Sequence, residues 1–340
     1  MNYTVYKNSM INTLNAFREY ANVFYPIKAN ANPKVVKLLN PYVRGYEVES
    51  IFHARYLINN IGISPNRILY SFQTTSLKDV DSLMKLGINH YVIDDIERCK
   101  YILKKGNQNE IKLNIVLRID VLEVIYVDII VKWGASVDDI LYMKKLVREE
   151  GHFVEGISYY IPQEINSMEN SIKVIKFIAQ NIGIEENQVL DIGGGITYTE
   201  LAMIKTRTND IFKKDISLVI EPGRTLLNPN IDLVVTVYAI RKKKGHILVF
   251  IDSGIYSGLI DHLIKGRRFE MVSMKKGTNL ESYIVCGNSS DISDVIGEYL
   301  LPNNIKEGDK LLIKGCGAYC SEMDMDFCKD KRANYILVDS

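Results

Sequence analysis

Lys28 and a run of three glycines are the residues whose type and position first suggest a chemical role. Lys28 follows a short apolar run. Partial burial at a strand end lowers the pKa of a lysine and frees its amine as a nucleophile for Schiff-base formation. Gly193, Gly194 and Gly195 follow a second apolar run, where backbone N–H groups could cradle an anion such as phosphate. Each feature has an ordinary alternative: a surface lysine before a turn, and a tight strand-to-helix connection.

Glu221 and Arg224 add a carboxylate and a guanidinium three residues apart. The carboxylate could hold a protonated ring nitrogen and the guanidinium could hold a phosphate, although the two could equally form a structural ion pair. Together with Lys28 and the glycine run, they supply an amine nucleophile, a partner for a cationic ring and a phosphate cup. Pyridoxal phosphate needs these three features, so the sequence predicts that cofactor.

The segments that must position these residues alternate between strands and helices. Eight short apolar runs rich in β-branched and aromatic residues predict strands, and the stretches between them have the apolar spacing of helices. Such alternation produces parallel strands, and eight units in about 210 residues fit a closed (β/α)8 barrel. An open doubly wound sheet is the rival, but the Gly-rich turn that usually follows its first strand is absent. The predicted strands are 23–25, 45–48, 68–70, 90–93, 115–119, 156–159, 189–192 and 218–220, and helices are predicted at 32–39, 76–86 and 140–147.

The pattern changes after Arg224. Strand-like runs at 231–238, 246–251, 283–285 and 310–313 follow one another without long helices, which predicts a mostly β segment. We therefore expect an α/β chain with a TIM-like (β/α)8 barrel over residues 12–225. Residues 1–11 and 226–340 are expected to form a C-terminal all-β domain, as a sandwich or barrel. Function in a (β/α)8 barrel is located at the carboxyl ends of the strands.

Composition excludes several classes of protein. The 340 residues include 42 Lys and Arg against 41 Asp and Glu, and the net charge of +1 gives no global field for nucleic acid or acidic membranes. No apolar run approaches the ~18 residues of a membrane span, and the first residues lack a signal core, so we expect a cytoplasmic protein. The five cysteines, at 99, 286, 316, 320 and 328, lack the paired spacings of a zinc site, and we expect reduced thiols and no metal.

Four motifs resemble those of fold-type III pyridoxal-phosphate decarboxylases, the family of ornithine and diaminopimelate decarboxylases. Residues 25–33, Tyr-Pro-Ile-Lys-Ala-Asn-Ala-Asn-Pro, resemble the lysine motif of the family, and residues 191–195, Asp-Ile-Gly-Gly-Gly, resemble its glycine loop. Residues 221–224 match its Glu-Pro-Gly-Arg signature, and residues 317–319 match its C-terminal Gly-Ala-Tyr. The motifs stand in the order of the family over nearly the whole chain. The resemblance implies the alanine racemase/ornithine decarboxylase fold, a barrel followed by a β domain.

The resemblance also implies roles for the matching positions. Lys28 would carry the cofactor as a Schiff base. Glu221 would keep the pyridine nitrogen protonated, so that the ring accepts the electrons left by loss of CO2. The glycine loop, Arg224 and Tyr319 would hold the phosphate. The implied cofactor-binding residues are Lys28, Glu47, Arg118, Tyr160, Gly193, Gly194, Gly195, Glu221, Gly223, Arg224 and Tyr319.

Members of this family are homodimers in which a loop of one subunit completes the site of the other. The matching loop is residues 286–294, which would place Asp291 at the distal end of the substrate. Ser290 stands where many members have a cysteine that donates the proton after CO2 loss, and Cys286 is the nearest thiol. Asp261 is a further candidate for the substrate pocket.

Several positions depart from the family pattern. Tyr160 replaces a histidine that stacks on the cofactor ring, and Gln163 replaces a serine that contacts the phosphate. Glu47 replaces an aspartate and is one methylene longer. Ser290 is a much poorer acid than a thiol, so the source of the proton stays open between Ser290 and Cys286.

The sequence favours an amino-acid decarboxylase that acts on a small-molecule substrate. Asp291 favours a cationic side chain, as in ornithine or lysine, because a buried carboxylate needs a partner. Diaminopimelate is disfavoured, since family members with that substrate have a glutamate at this position and an Arg-Pro pair that is missing here. Racemisation is disfavoured too, because a racemase-like site would have an arginine in place of Glu221. Two alternatives stay open: action on a carrier-bound acyl group, and a non-catalytic homologue that binds and regulates a partner.

Overall fold

The computed structural model describes residues 1–73, 75–126, 130–277, 279–325 and 333–339. Contacts between residues divide the chain into two units. The barrel unit contains Thr13–Ile27 and Pro41–Gly223, and the β unit contains Met1–Asn12, Lys28–Asn40 and Arg224–Ser340. The domain boundaries expected from the sequence, after residues 11 and 225, stay a prediction.

The strands in chain order are β1 Asn2–Tyr6, β2 Asn22–Pro26, β3 Gly45–Val48, β4 Ile68–Ser71, β5 His90–Ile93, β6 Asn114–Arg118, β7 Phe153–Ser158, β8 Val189–Asp191, β9 Ser217–Ile220, β10 Ile231–Lys243, β11 His246–Ile251, β12 Met271–Ser273, β13 Leu280–Cys286, β14 Val295–Pro302, β15 Lys310–Ile313 and β16 Asn334–Val338. The α-helices are α1 Lys7–Arg18, α2 Pro33–Leu39, α3 Ile51–Arg55, α4 Val80–Lys85, α5 Ile96–Gln108, α6 Val137–Glu149, α7 Met168–Asn181, α8 Tyr198–Phe212, α9 Arg224–Leu227 and α10 Asp261–Lys265. A π-helical turn, Tyr56–Ile61, follows α3 directly.

Strands β2 to β9 form a closed barrel of parallel strands, as the alternation in the sequence predicts. The barrel closes between β2 and β9, where Val23 lies opposite Ile220. The positions of β3 and β4 are buried throughout, because a parallel sheet covered by helices has no face open to water. Leu69, Val92 and Val116 form an apolar cluster that joins β4, β5 and β6. Each of the eight predicted apolar runs overlaps one of these strands.

Capping side chains determine where the helices begin. Asn32 accepts a hydrogen bond from the N–H of Lys34, and Pro33 occupies the first helical position of α2. Thr197 and Glu200 form a reciprocal capping box at the start of α8. The three helices predicted from the sequence are found at α2, α4 and α6, and the second begins as a 3-10 turn at Leu77–Asp79. The caps therefore fix the first residues of α2 and α8.

The β unit contains an eight-stranded sheet in which β10 is the longest strand. The strand order is β12-β15-β10-β11-β13-β14, and β1 pairs with both β10 and β16. The four strand-like runs predicted after Arg224 fall on β10, β11, β13 and β15. The predicted fold class, a (β/α)8 barrel followed by a mostly β part, is confirmed.

Two expectations from the sequence concern a membrane-spanning segment and the state of the cysteines. Among the described residues, no helix combines the length and the apolar character that a membrane crossing requires. Cys99, Cys286, Cys316 and Cys320 are free and buried, and Cys328 lies outside the described residues. The cytoplasmic location stays a prediction.

Candidate active site

The carboxyl ends of five barrel strands carry polar side chains. Glu47 is the penultimate residue of β3, Arg118 ends β6 and Asp191 ends β8. Tyr160 follows β7 by two residues, and Glu221 comes directly after β9. Because parallel strands of a barrel point the same way, these side chains lie at one end, where enzymes of this architecture have their active sites. We call Glu47, Arg118, Asp191 and Glu221 the barrel cluster.

Glu47 is held by the strand beside it. Its side chain is buried, with 1% of the residue surface exposed. Ser71, at the end of β4, donates a hydrogen bond from Oγ to Glu47 Oε1 over 2.7 Å. Burying a carboxylate is costly without such partners, so this contact fixes the orientation of the acid.

The glycine loop 193–195 packs directly against the backbone of Glu221. Asp191 Oδ1 accepts a hydrogen bond from the N–H of Gly193 over 3.0 Å, and Gly193 O accepts one from the N–H of Glu221 over 2.9 Å. A Cβ atom on Gly194 would lie 2.5 Å from Glu221 O, closer than real Cβ contacts allow. Gly193 and Gly195 adopt φ values of +67° and +84°, in the region that favours glycine. The loop therefore needs glycine both for its path and for its approach to Glu221.

Asp191 and Glu221 form a hydrogen-bonded pair of carboxyl groups. Burial raises the pKa of Asp191 to about 6, against the opposing effects of the Gly193 N–H and the Glu221 side chain. The charge of Glu47 also raises this pKa, and the guanidinium of Arg118 lowers it. The barrel cluster thus contains three acids around one guanidinium.

Arg118 and Tyr160 lie beside each other, and Tyr160 contacts the glycine loop. The guanidinium carbon of Arg118 is 5.9 Å from the ring centroid of Tyr160. A Cβ atom on Gly193 would lie 3.2 Å from the same ring, so Tyr160 contacts both features. Tyr160 is 40% exposed and presents an aromatic face next to the loop. Asp94 adds a half-buried acid, whose pKa is raised by burial and lowered by the Gly134 N–H and by Arg118.

Buried polar atoms around the barrel cluster fit a polar ligand. Arg118 Nε, Ser158 Oγ and His53 Nδ1 are buried, and none has a hydrogen-bond partner within the described parts of the chain. Native structures leave few such atoms unsatisfied, and those that occur call for a bound water, ion or ligand. With the N–H groups of the glycine loop and the carboxylate of Glu221, these donors and acceptors suit an aromatic phosphate such as pyridoxal phosphate.

Lys28 lies in a 3-10 turn, Ile27–Ala29, two residues after the end of β2. The side chain is half-buried, and its neighbours Ile27 and Ala29 are fully buried. The turn is tied to the C-terminal Gly-Ala-Tyr motif of the β unit, because Ala29 O accepts a hydrogen bond from the N–H of Tyr319 over 2.8 Å. Asn30 Nδ2 donates to Gly317 O over 2.9 Å. These bonds hold the backbone on the C-terminal side of Lys28 in a fixed position.

Arg224, Asp261 and Tyr319 form a second group, within the β unit. Arg224 Nη2 lies 3.3 Å from both carboxylate oxygens of Asp261, which is 3% exposed. The guanidinium carbon of Arg224 is 4.5 Å from the ring centroid of Tyr319. Arg267 Nη1 is 3.9 Å from Asp261 Oδ2. Asp261 therefore orients a guanidinium that also packs on an aromatic ring.

The loop 286–294 is built around the buried carboxylate of Asp294. Asp294 accepts hydrogen bonds from the N–H of Ile255 over 2.8 Å, and from the N–H and Oγ of Ser289 over 3.0 and 2.7 Å. Asp291 Oδ1 accepts from the N–H of Ser293 over 2.7 Å, and its carboxylate is also bonded by the hydroxyl of Tyr256. These contacts fix the loop and hold Asp291 half-buried on it.

The two candidates for a proton donor have different surroundings. Ser290 is exposed at the tip of the loop. Cys286 ends β13 and is 7% exposed, and burial raises the pKa of its thiol.

The predicted site residues thus fall into three groups, and each group lies within one unit. The barrel unit brings together Glu47, Arg118, Tyr160, Gly193, Gly194, Gly195 and Glu221, with Gly223 as its last residue; the β unit brings together Arg224, Asp261 and Tyr319; and Cys286, Ser290 and Asp291 share one loop of the β unit. Sequence reasoning gave no role to Asp191, Ser71 or Asp294. For Asp191 a signal was available, since an acid two residues before a glycine can accept the N–H of that glycine.

Comparisons with known proteins agree with this fold. The family model described as "Pyridoxal-dependent decarboxylase, pyridoxal binding domain" matches residues 6–228. Ornithine decarboxylase of Schizosaccharomyces pombe is 26% identical over 93% of this chain and 78% of its own length. Diaminopimelate decarboxylase of Helicobacter pylori is 25% identical over 93% of this chain and 84% of its own. A lysine/ornithine decarboxylase of Vibrio vulnificus, solved with cadaverine, superposes with a TM-score of 0.85 at 19% identity, over 100% of this chain and 94% of that one.

The family model covers the barrel strands, the lysine motif, the glycine loop and the Glu-Pro-Gly-Arg signature. The resemblance stated from the sequence is confirmed at this level, together with the cofactor it implies. The chain belongs to the family of pyridoxal-dependent decarboxylases.

Proposed function

We propose that this enzyme decarboxylates a free α-amino acid whose side chain ends in a cationic group, such as ornithine or lysine. The observation that carries the proposal is Asp291, a half-buried carboxylate that a buried scaffold holds on loop 286–294. Among the described residues, no Lys or Arg side chain forms an ion pair with it. A carboxylate held in this way favours a cationic partner.

Asp261 is a weaker candidate for contact with the substrate. It already faces the guanidinium groups of Arg224 and Arg267. This arrangement supports a role in orienting Arg224 toward a phosphate rather than in binding a second cation.

We propose the following roles for individual residues of the chain. Bound pyridoxal phosphate supplies an electron sink for the pair of electrons that CO2 leaves behind. Lys28 would offer its amine to the aldehyde carbon, and Glu221 would accept a hydrogen bond from the ring nitrogen. The N–H groups of the glycine loop, Arg224 and Tyr319 would donate to the phosphate.

The remaining polar residues set the environment of the ring. Tyr160 contacts the glycine loop, Arg118 lies beside its ring, and Glu47 belongs to the same barrel cluster; these residues would limit the orientations that an aromatic ring can take there. Ser290, which is exposed on its loop, would donate the proton that replaces CO2 at Cα, because the Cys286 thiol is buried at the end of β13.

Trapping experiments test the cofactor site. The purified protein is titrated with pyridoxal 5′-phosphate, reduced with borohydride, digested and examined by mass spectrometry. We expect a phosphopyridoxyl group on the peptide that contains Lys28 and none in Lys28→Ala. Label on another lysine, or no label at saturating cofactor, would overturn the assignment of Lys28.

Turnover experiments test the substrate class. Release of CO2 is measured for ornithine, lysine and arginine, and for norleucine as a neutral analogue. We expect the cationic amino acids to have the higher kcat/KM and Asp291→Ala to reduce this preference by about 10-fold or more, since one charged hydrogen bond contributes about 1.5–3 kcal/mol. Faster turnover of the neutral analogue, or an unchanged preference in Asp291→Ala, would contradict the proposal.

A further inference from the structure

Tyr335 is a buried tyrosine of β16 whose hydroxyl contacts the segment that follows Lys28. Its ring stacks on that of Tyr3, with the two ring centroids 4.7 Å apart. Asn30 Nδ2 donates a hydrogen bond to the Tyr335 hydroxyl over 2.9 Å. The same hydroxyl lies 2.6 Å from Ser321 Oγ, within hydrogen-bond distance. Stacking therefore fixes the ring, and two polar side chains hold its hydroxyl.

Asn30 needs this hydroxyl because its own side-chain amide is fully buried. A buried amide hydrogen is costly without an acceptor in the protein. Asn30 Nδ2 donates to the Tyr335 hydroxyl and to Gly317 O, each over 2.9 Å, and Asn30 Oδ1 accepts the N–H of Asn32 over 3.0 Å. Asn30 thus joins β16, the Gly-Ala-Tyr motif and the start of α2. Loss of the hydroxyl would take away the acceptor of one of its N–H groups.

These bonds fix the exit of the turn that carries Lys28. Asn30 comes directly after that 3-10 turn, and the last carbonyl of the turn is bonded to the Gly-Ala-Tyr motif. The N–H of Ala31 donates to Glu322 Oε1 over 2.8 Å. Three successive residues are thus bonded to the C-terminal part of the β unit, to which Lys28 also belongs. Because a lysine side chain is long and flexible, a fixed backbone limits the positions that its amine can reach.

We propose that Tyr335 is a positioning residue that acts through Asn30 to hold the Lys28 turn where the amine meets the aldehyde carbon of pyridoxal phosphate. The inference rests on the role proposed above for Lys28. In that reaction the Lys28 nitrogen forms a C=N bond with the aldehyde carbon, and the aldehyde oxygen leaves as water with the two hydrogens of the neutral amine. The rate depends on the placement of the two reacting atoms, so loss of a contact that fixes the turn slows it.

Conservative substitutions separate this role from general support of the fold. Tyr335→Phe removes the hydroxyl and keeps the ring that stacks on Tyr3. Tyr283→Phe is the matched control, because Tyr283 is buried in β13 of the same unit and its hydroxyl donates to Pro302 O over 3.3 Å. Each variant loses one buried hydroxyl, so their losses of stability should be similar. Ser321→Ala removes the other partner of the Tyr335 hydroxyl and is a second, milder variant.

The test compares pyridoxal 5′-phosphate with pyridoxine 5′-phosphate, which has the same ring and phosphate but an alcohol in place of the aldehyde. The cofactor-free protein is mixed with saturating pyridoxal 5′-phosphate, and Schiff-base formation is followed by absorbance. Borohydride reduction and peptide mass spectrometry verify that the label is on Lys28. Fluorescence titration measures the dissociation constant of pyridoxine 5′-phosphate, which forms no covalent bond.

We expect Tyr335→Phe to slow Schiff-base formation by about 10-fold and to change the dissociation constant of pyridoxine 5′-phosphate by less than about 2-fold, since only the first quantity depends on the placement of the amine. Tyr283→Phe should leave both quantities within about 2-fold of the wild-type values, because its hydroxyl is bonded to another part of the unit.

If Tyr335→Phe weakens binding of pyridoxine 5′-phosphate as strongly as it slows the reaction, the network supports the phosphate site rather than Lys28, and the inference is wrong. An unchanged rate in Tyr335→Phe, or equal slowing in Tyr283→Phe, would also overturn it. If Tyr335→Phe does not fold, Ser321→Ala decides by the same comparison, with an expected slowing of about 3-fold. Absence of label on Lys28 in the wild-type protein would instead refute the proposed role of Lys28 itself.

Discussion

The barrel cluster contains two buried carboxyl groups, Glu47 and Asp191, and burial opposes the ionisation of Asp191. Its pKa is raised to about 6, whereas an aspartate in an unfolded chain titrates near ~3.9. The folded protein therefore binds this proton more tightly than the unfolded chain does. The resulting stabilisation is fully present below pH ~4 and is lost as the pH rises through about 6.

This linkage predicts the effect of Asp191→Asn on stability. The amide has no proton to lose, so the free energy of unfolding of the variant, relative to wild type, should increase as the pH rises from 4.5 to 7. We expect an increase of about 1–3 kcal/mol, given 1.36 kcal/mol per pKa unit. Urea unfolding of the cofactor-free protein at several pH values measures it. A difference that is independent of pH would show that Asp191 titrates normally in the folded protein.

Ser290 offers a second prediction at the residue scale. A thiol is a better acid than a hydroxyl, so Ser290→Cys should raise kcat several-fold if this position delivers the proton. Ser290→Ala should lower kcat with little change in KM, and Cys286→Ala should leave kcat near the wild-type value because that thiol is buried at the end of β13. Steady-state release of CO2 measures all three variants. If Cys286→Ala loses activity and the Ser290 variants do not, Cys286 rather than Ser290 donates the proton.

Among the connecting segments, the glycine loop 193–195 is the one whose backbone packs directly against the turn that carries Glu221. Gly194 has no space for a side chain, since a Cβ atom would lie 2.5 Å from Glu221 O. Either the loop or the turn after β9 must move to accept one, and both contribute groups proposed to hold the cofactor. The loop thus couples β8 to β9 through backbone contacts that a larger residue cannot keep.

We therefore expect Gly194→Ala to weaken binding of pyridoxal 5′-phosphate by about 10-fold or more, which corresponds to about 1.4 kcal/mol. Gly183→Ala is the matched control: its φ of +72° makes alanine unfavourable, but the added Cβ would have no atom within 4 Å. Thermal unfolding and fluorescence titration should show a modest loss of stability in both variants and a loss of affinity in Gly194→Ala alone. If Gly194→Ala and Gly183→Ala bind pyridoxal 5′-phosphate with equal affinity, the close packing of the loop against Glu221 does not affect cofactor binding.

At the scale of the whole molecule, the exposed tip of loop 286–294 is the feature that favours a dimer. Ile292 is 93% exposed beside Asp291, on a loop that Asp294 holds rigidly. An apolar side chain presented in this way suits contact with another protein surface. We propose that the loop of one subunit completes the site of its partner, as the family resemblance implies.

Mixing the inactive Lys28→Ala variant with Asp291→Ala, whose turnover of cationic amino acids is expected to be reduced, tests that proposal. Lys28→Ala and Asp291→Ala are unfolded together and refolded, so that random pairing gives heterodimers in which one site has both native residues. If sites are shared, activity should return to about one quarter of the wild-type value, since half of the dimers then carry one intact site out of two. Gel filtration and native mass spectrometry confirm pairing. Heterodimers without recovered activity would place both residues in a site made by one subunit.

Local sequence determined much of this protein. The alternation of apolar runs and helical spacing predicts the strands and helices of the barrel, because the period of a strand or helix is set by residues near one another in the chain. Short motifs such as residues 25–33 and 221–224 identify the family, since each is read within a few residues. The strand-like runs after Arg224 predict the β unit for the same reason.

Tertiary structure alone decided which distant residues meet. Asp191 and Glu221 come together because β8 and β9 are neighbours in a closed barrel, and Arg224 meets Asp261 because the fold of the β unit brings α9 and α10 together. In the same way, the side chain of Asp294 accepts a hydrogen bond from the N–H of Ile255, which lies in a distant segment of the chain. No local pattern marks such pairs, since they depend on register, closure and burial of the whole unit, and burial is also what shifts the pKa of Asp191. The sequence thus predicts the cofactor and the class of reaction, and the packing of the folded chain determines the pKa values and the distances between the site residues.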